Sequence, residues 1–215
     1  ACKREMDDVT NQGGIEGATT ATYRKSIDIM GVKSDVDIKL LAIPGIRNAG
    51  VTDYAMDAVE SRFDSMYIMD IEQRDRNNQV MTSSVDANNN ALFPNVHYTV
   101  SGFASRGLNT SFTAAYFPDL VMKDPTNQNE TVVPPSVGVL AAMATTDKIA
   151  WPWFAPAGYT RGTLGPSIKN ATLTLTRQNL DDLYAEKINP ITSFSGGDPI
   201  VWGQKTLLAD ASALD

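Results

Sequence analysis

Residues 38–71 constrain this chain more than any other stretch. Ile38-Lys39-Leu40-Leu41-Ala42-Ile43 is a short, nearly continuous apolar run closed by Pro44-Gly45, the texture of a strand buried on both faces. Thr52 then offers a capping hydroxyl and Asp53 a charge for the helix dipole, ahead of Tyr54, Ala55, Ala58, Val59 and Phe63 at helical spacing. Met66-Tyr67-Ile68-Met69-Asp70-Ile71 is apolar and strand-like again. Strand, helix and strand at this spacing make one βαβ unit, whose crossover is right-handed and whose sheet is at least partly parallel.

The rest of the chain extends that pattern. Residues 73–90 read as a polar, Asn-rich surface loop. A helix is expected over Val96–Arg106 and a strand over Ser111–Phe117, ended by Pro118. After the polar loop 123–130, Val133-Pro134-Pro135-Ser136 leads into an apolar helix over Val137–Thr145, with proline in its first turn. Gly138, Ala141, Ala142 and Ala144 keep that helix thin, so it should lie tightly on a sheet with its other side also covered. A further helix starts near Thr176 or Arg177 and runs to Ile188-Asn189-Pro190, and Ile191–Phe194 and Ile200–Gly203 read as a hairpin around a tight turn at 195–198. The expected fold class is α/β: a mixed, partly parallel sheet flanked by helices, with a β-hairpin near the C-terminus. Residues 1–36 are expected to be irregular or the remnant of an adjoining domain, and 37–215 to form the core domain.

Charge and composition remove several kinds of chemistry. Lys and Arg number 18 against 25 Asp and Glu, a net charge of −7, with no basic stripe to offset it, so nucleic acid is not expected as a partner. No apolar run approaches the ~20 residues of a membrane span, so no membrane role is expected. Cys2 and His97 are each the only residue of their kind, which leaves neither an internal disulfide nor a two-His or thiolate metal site, and no metal or other cofactor is expected. The phosphate-cradling glycine motifs are missing.

The remaining candidates have plain readings. Asp86-Ala-Asn88-Asn-Asn90 opens like a calcium loop, but Ala91 and His97 stand where the loop needs Gly and Glu. Asp7-Asp8, Asp35/Asp37 and Asp181-Asp182 are acid pairs; adjacent residues on one element point apart, which fits solvated positions better than paired catalytic carboxylates. His97 reads as a surface or capping residue. Trp151, Trp153, Phe154 and Tyr159 form an aromatic loop suited to plugging the sheet end or meeting another subunit, with a sugar or peptide platform as the alternative. No catalytic residues are assigned.

From about Asp37 to Leu207 the ordered motifs resemble the contractile tail sheath proteins of bacteriophages, the large myophage type in particular. The resemblance rests on Leu40-Leu41-Ala42-Ile43-Pro44-Gly45-Ile46, Ala115-Tyr116-Phe117-Pro118, Val133-Pro134-Pro135-Ser136 with Gly138-Val139, Phe154-Ala155-Pro156-Ala157-Gly158, Ile188-Asn189-Pro190-Ile191, and Ile200-Val201-Trp202-Gly203 through Leu207. Its order and spacing carry it, and the structural positions it marks are Pro44, Gly45, Pro118, Pro134, Pro135, Gly138, Pro156, Gly158, Pro190, Trp202 and Gly203.

The resemblance implies a non-enzymatic structural subunit that self-associates into stacked hexameric sheath rings, contacts tail tube and baseplate proteins, and contracts to drive the tube through a host envelope. It places the protein in the virion tail, after assembly in the host cytoplasm. Residues before Asp37 do not resemble the family's N-terminal arm, and the family's C-terminal arm would follow Leu207; the chain is therefore expected to be a central piece of a longer protein and, alone, monomeric. Two other classes stay open on the residues: a phage-associated hydrolase using an acid pair, and a carbohydrate-binding module using Trp151 and Trp153. An enzyme should gather titratable groups in one cleft and a binding module should expose coplanar aromatics; a sheath fragment should show neither.

Overall fold

The computed structural model describes residues 17–81, 95–151, 153–194 and 197–209. A five-stranded sheet lies at its centre, in the order β1 (Leu40–Ala42), β2 (Met66–Asp70), β3 (Thr113–Phe117), β7 (Ile188–Thr192), β8 (Ile200–Val201). The first four strands are parallel, and β8 returns antiparallel to β7. A second, antiparallel sheet has the order β5 (Glu130–Val133), β4 (Leu120–Lys123), β6 (Ile168–Ala171). The expected α/β class, with a partly parallel sheet and a C-terminal strand pair, is what the chain adopts.

Two-residue alternation on the central strands divides the core into two layers. Tyr67, Met69, Ile71, Ala115, Phe117 and Ile188 face one cluster, which also holds Val51, Ala55 and Val59 of α2 (Ala49–Arg62), Val100 and Phe103 of α3 (Val96–Ala104) and Leu183 of α6 (Arg177–Ala185). Ile68, Ala114, Tyr116, Ile191 and Val201 face the other, with Val139 and Ala142 of α4 (Pro135–Ile149) and with Leu120 and Ile168 of the small sheet. All five residues of β3 are buried, because helices or strands cover both its faces.

Several local expectations change. Asn48, not Thr52, caps α2: its side chain accepts from the Gly50 N–H at 2.8 Å. Thr52 lies inside the helix, where its buried hydroxyl accepts from Arg106 at 2.7 Å. Within residues 1–36, Ala18–Gly31 is a helix (α1) packed on α2, held by Arg24 Nε to the Gly50 carbonyl at 2.9 Å and by Arg62, which donates to the Met30 and Val36 carbonyls. Arg62 is nearly fully buried, so the junction is specified from both helices, by Arg24 of α1 and by Arg62 of α2. The β4–β5 hairpin falls where a polar loop was expected, leaving only residues 124–129 as its turn.

Asn189 and Pro190 lie in a strand, and α6 ends at Ala185 because Lys187 takes a left-handed conformation, φ 62°. The final strand pair joins Ile191 to Val201 and Thr192 to Ile200, and between them the Gly197 N–H bonds the Phe194 carbonyl at 3.0 Å, the closure of a tight turn. Gly138 makes the close approach that its place in α4 demands: a Cβ there would lie 2.6 Å from Leu120 Cδ1, 2.9 Å from Ile168 Cδ1 and 3.3 Å from Leu164 Cδ1. The far side of α4 is open, however, with Ala141, Ala144 and Thr145 exposed and Ile149 at 65% exposure. Covering of both sides is corrected, since the small residues serve the packed face alone.

Candidate functional site

The motif residues gather into two hydrogen-bonded knots at the sheet. In the first, Gly45 (φ 79°) turns the chain after β1 and donates its N–H to Asp70 Oδ2 at 3.0 Å. Asp70, 2% exposed at the end of β2, also accepts from the Ser136 N–H at 2.9 Å and the Ser136 hydroxyl at 2.8 Å. Pro134 is the N-cap of α4 and Pro135 its first residue; neither supplies a capping side chain, so Asp70 does so from another element. Burial pushes the Asp70 carboxyl above its usual range, opposed by the Gly45 and Ser136 bonds and the nearby Arg47 charge. Arg47 is itself buried and pairs with Asp119, next to Pro118. Pro44-Gly45, Pro118 and Pro134-Pro135, far apart in sequence, thus meet at one end of the parallel strands. Asp70 was legible in the sequence only as the last polar residue of a strand.

The second knot joins Asn189-Pro190 to Trp202-Gly203. The buried Asn189 amide donates to the Lys205 carbonyl at 2.7 Å and the Ala115 carbonyl at 3.2 Å, and its Oδ1 accepts from the Lys205 N–H at 2.7 Å. Trp202 N–H donates to the Pro190 carbonyl at 2.8 Å. A Cβ at Gly203 would lie 2.6 Å from Asn189 Oδ1 and 2.9 Å from its Cα, which is why glycine follows the tryptophan. Leu207 N–H continues the strap onto the Thr113 carbonyl at 3.0 Å. Gly158, at φ 77°, opens the short helix α5 (Gly158–Arg161), and Val201 N–H bonds back to Gly162.

Among the described residues the acid pairs do not converge. Asp181 and Asp182 line two different hollows, Asp182 sharing its own with Arg76 and His97. Asp35 accepts from Ser34, Asp37 pairs with Lys39, and both are exposed. His97 is exposed in the first turn of α3, where Asn95 is the cap. Cys2, Asp7-Asp8 and the calcium-like stretch 86–90 lie outside the described residues.

The aromatic loop does not plug the sheet with its tryptophans. Trp151 and Trp153 are 60% and 72% exposed and stack with centroids 5.1 Å apart and planes 10° apart. Exposed, nearly parallel rings are contrary to the expectation for a sheath fragment. Stacked face on face, though, they bury one face of each ring instead of presenting a flat platform. Beside them a groove of about 680 Å³, lined among others by Leu40, Met66, Tyr116, Met143, Phe154 and Pro156, runs under the starts of β1 and β2.

No family model matches the chain. In sequence it is 34% identical over 92 residues to the tail sheath protein of Vibrio phage KVP40 and 37% identical over 83 residues to that of Enterobacteria phage T4. These matches cover 43% and 39% of this chain but only 14% and 12% of the relatives. In fold it is similar to a chain of the contracted helical sheath of the anti-feeding prophage, with a TM-score of 0.54 at 19% identity over 91% of this chain. The chain carries a contractile tail sheath fold. The sheath complex of PVC, an extracellular contractile injection system in its contracted state, gives a TM-score of 0.59 at 18% identity over 84% of this chain, and the anti-feeding prophage baseplate 0.56 at 18% over 93%. This chain spans 43% to 45% of those solved chains, so the sheath fold here is described over less than half of their length. The two knots tie Pro44-Gly45 to Pro134-Pro135 and Asn189-Pro190 to Trp202-Gly203, motif positions on which the sequence resemblance rests.

Proposed function

We propose that this chain is part of a structural subunit of a contractile phage tail sheath, one that forms stacked hexameric rings around a tail tube, engages the baseplate, and contracts to drive the tube through the host envelope. The observation that carries the reading is that comparison by sequence and comparison by fold arrive independently at sheath proteins. The subunit works without turnover or cofactor, in the virion tail, after assembly in the host cytoplasm. A sheet covered on both faces and tied by two polar knots makes a rigid block, and contraction needs rigid blocks whose contacts have two packings of different free energy. The open outer side of α4 and the exposed Trp151–Trp153 stack supply apolar surface for such contacts.

The test is electron microscopy of the full-length parent. Long hollow cylinders, extended or contracted, are expected; dispersed particles under all assembly conditions would refute the reading. The 215-residue chain alone is expected to sediment as a monomer of 23.3 kDa at low salt, because its charge of −7 opposes self-association.

A further inference from the structure

We propose that the hollow between Tyr184 and Trp202 receives an arginine side chain from a protein partner, with the guanidinium stacked on the Trp202 indole and forked onto the Asp181 carboxylate. The hollow has a volume of about 450 Å³, and Leu180, Asp181, Tyr184, Pro190, Trp202 and Gln204 line it. Asp181 is exposed and, among the described residues, makes no hydrogen bond or ion pair; the neighbouring Gln178 amide is taken by Asp182. Trp202 is 43% exposed yet firmly held. Its backbone N–H is bonded to the Pro190 carbonyl, and its ring meets Phe194 edge-on at 4.8 Å and Tyr159 edge-on at 5.7 Å. An aromatic face fixed in this way, beside a free carboxylate, is a receptor for a cation.

The same corner already binds one cation by the same chemistry. Lys205 places its ammonium 3.7 Å from the centre of the Tyr184 ring while donating to the Tyr184 carbonyl. Complementarity then narrows the occupant. An anion is repelled by Asp181, and a wholly apolar group would bury that carboxylate without a partner. Lysine satisfies the charge but lacks the planar fork that stacks on indole and meets both carboxylate oxygens at once. A chain of net charge −7 also favours basic partners at its surface. The assignment stands on the hollow alone and does not depend on the sheath reading.

The experiment uses the chain with Trp151→Phe and Trp153→Phe, both at exposed positions, so that Trp202 is the only tryptophan and is excited beyond the absorption of the tyrosines. Three acetylated, amidated tripeptides, Ala-Arg-Ala, Ala-Lys-Ala and Ala-Gln-Ala, are titrated against it. Saturable quenching by the arginine peptide is expected, with a weaker response to lysine and none to glutamine, and Asp181→Asn should weaken arginine binding roughly fivefold or more. An absent or unsaturable response overturns the proposal, as does equal response to the lysine or glutamine peptide, or unchanged affinity in Asp181→Asn. Because the readout is peptide binding at one ring, an empty hollow leaves the sheath reading standing, and a parent that forms no cylinders leaves this assignment standing.

Discussion

Asp70 and Ser136 are joined by two hydrogen bonds across 66 residues of chain, and through them the end of β2 caps a helix that has no cap of its own. The shared carboxylate also holds the Gly45 turn. One buried charge thereby fixes the angle between the βαβ unit and α4. Removing it with Asp70→Ala leaves the Gly45 and Ser136 donors without partners and should cost about 2–4 kcal/mol, read from urea unfolding midpoints.

The isosteric Asp70→Asn variant reports the charge itself. Burial raises the folded-state pKa above the unfolded value, so Asp70's contribution is fully present below the ordinary carboxylate range and is lost as pH rises through the folded value. Wild type should therefore gain stability relative to Asp70→Asn as the pH falls toward 4. A gain in the opposite direction would show that the Gly45, Ser136 and Arg47 interactions outweigh burial.

Gly138→Ala trades ~1 kcal/mol of improved helix propensity against overpacking of roughly 1–3 kcal/mol, so a net loss is expected. Gly138→Leu has no room beside Leu120, Ile168 and Leu164, and should cost about 3 kcal/mol, equivalent to a fall in Tm of roughly 6–12 °C. A thermal melt within a degree or two of wild type would show that α4 does not press on the small sheet.

Asn189→Leu removes three hydrogen bonds at once and leaves two partly buried backbone groups of Lys205 without their partner, a loss of about 3 kcal/mol. The damage should be local. Hydrogen exchange at the Leu207 amide, which is bonded to Thr113, should accelerate strongly while amides in α2 keep their protection. Uniform loss of protection would mean that the strap and the core open as one unit.

How much of this was legible in the sequence depends on whether the determining contact was local. The βαβ unit was readable because apolar periodicity is local, and so was the thinness of α4 at Gly138. The cap of α2 was misplaced by four residues because Asn48 and Thr52 both offer suitable oxygens, and the buried contact with Arg106 decides which is inside the helix. Ile188-Asn189-Pro190, the first part of the strand Ile188–Thr192, reads as a helix end because Asn-Pro normally stops a helix, whereas Ile191 and Thr192 already read as strand. Here the side chain of Asn189 is instead the centre of a knot, made with residues that follow in the chain. Asp70 carried no signal, since a polar residue closing a strand looks the same whether it meets water or a helix terminus from elsewhere. The motifs themselves were visible as Pro44-Gly45, Pro134-Pro135, Asn189-Pro190 and Trp202-Gly203, but that they pair with one another is a property of the fold alone.

The proposed machine should draw its energy from its own assembly. If contraction draws on free energy stored at assembly, purified extended tails carrying the full-length parent should contract on acid, urea or heat with metals chelated and nucleotides absent. They should not re-extend when the trigger is withdrawn. Irreversibility follows from cooperativity: a difference of only ~1 kcal/mol per contact, summed over the contacts of a connected array, leaves almost no extended population at equilibrium. Rigid subunits are required for this, because a soft block would absorb the difference by deforming, and the knots at Asp70 and Asn189 are what stiffen this one. Asp70→Ala or Asn189→Leu, placed in the parent, should therefore blunt contraction, giving tails that shorten only in part or need a stronger trigger. Imaging after each trigger decides the matter: tails that stay extended until a nucleotide or divalent ion is supplied would overturn the stored-energy mechanism and return the protein to the enzyme class.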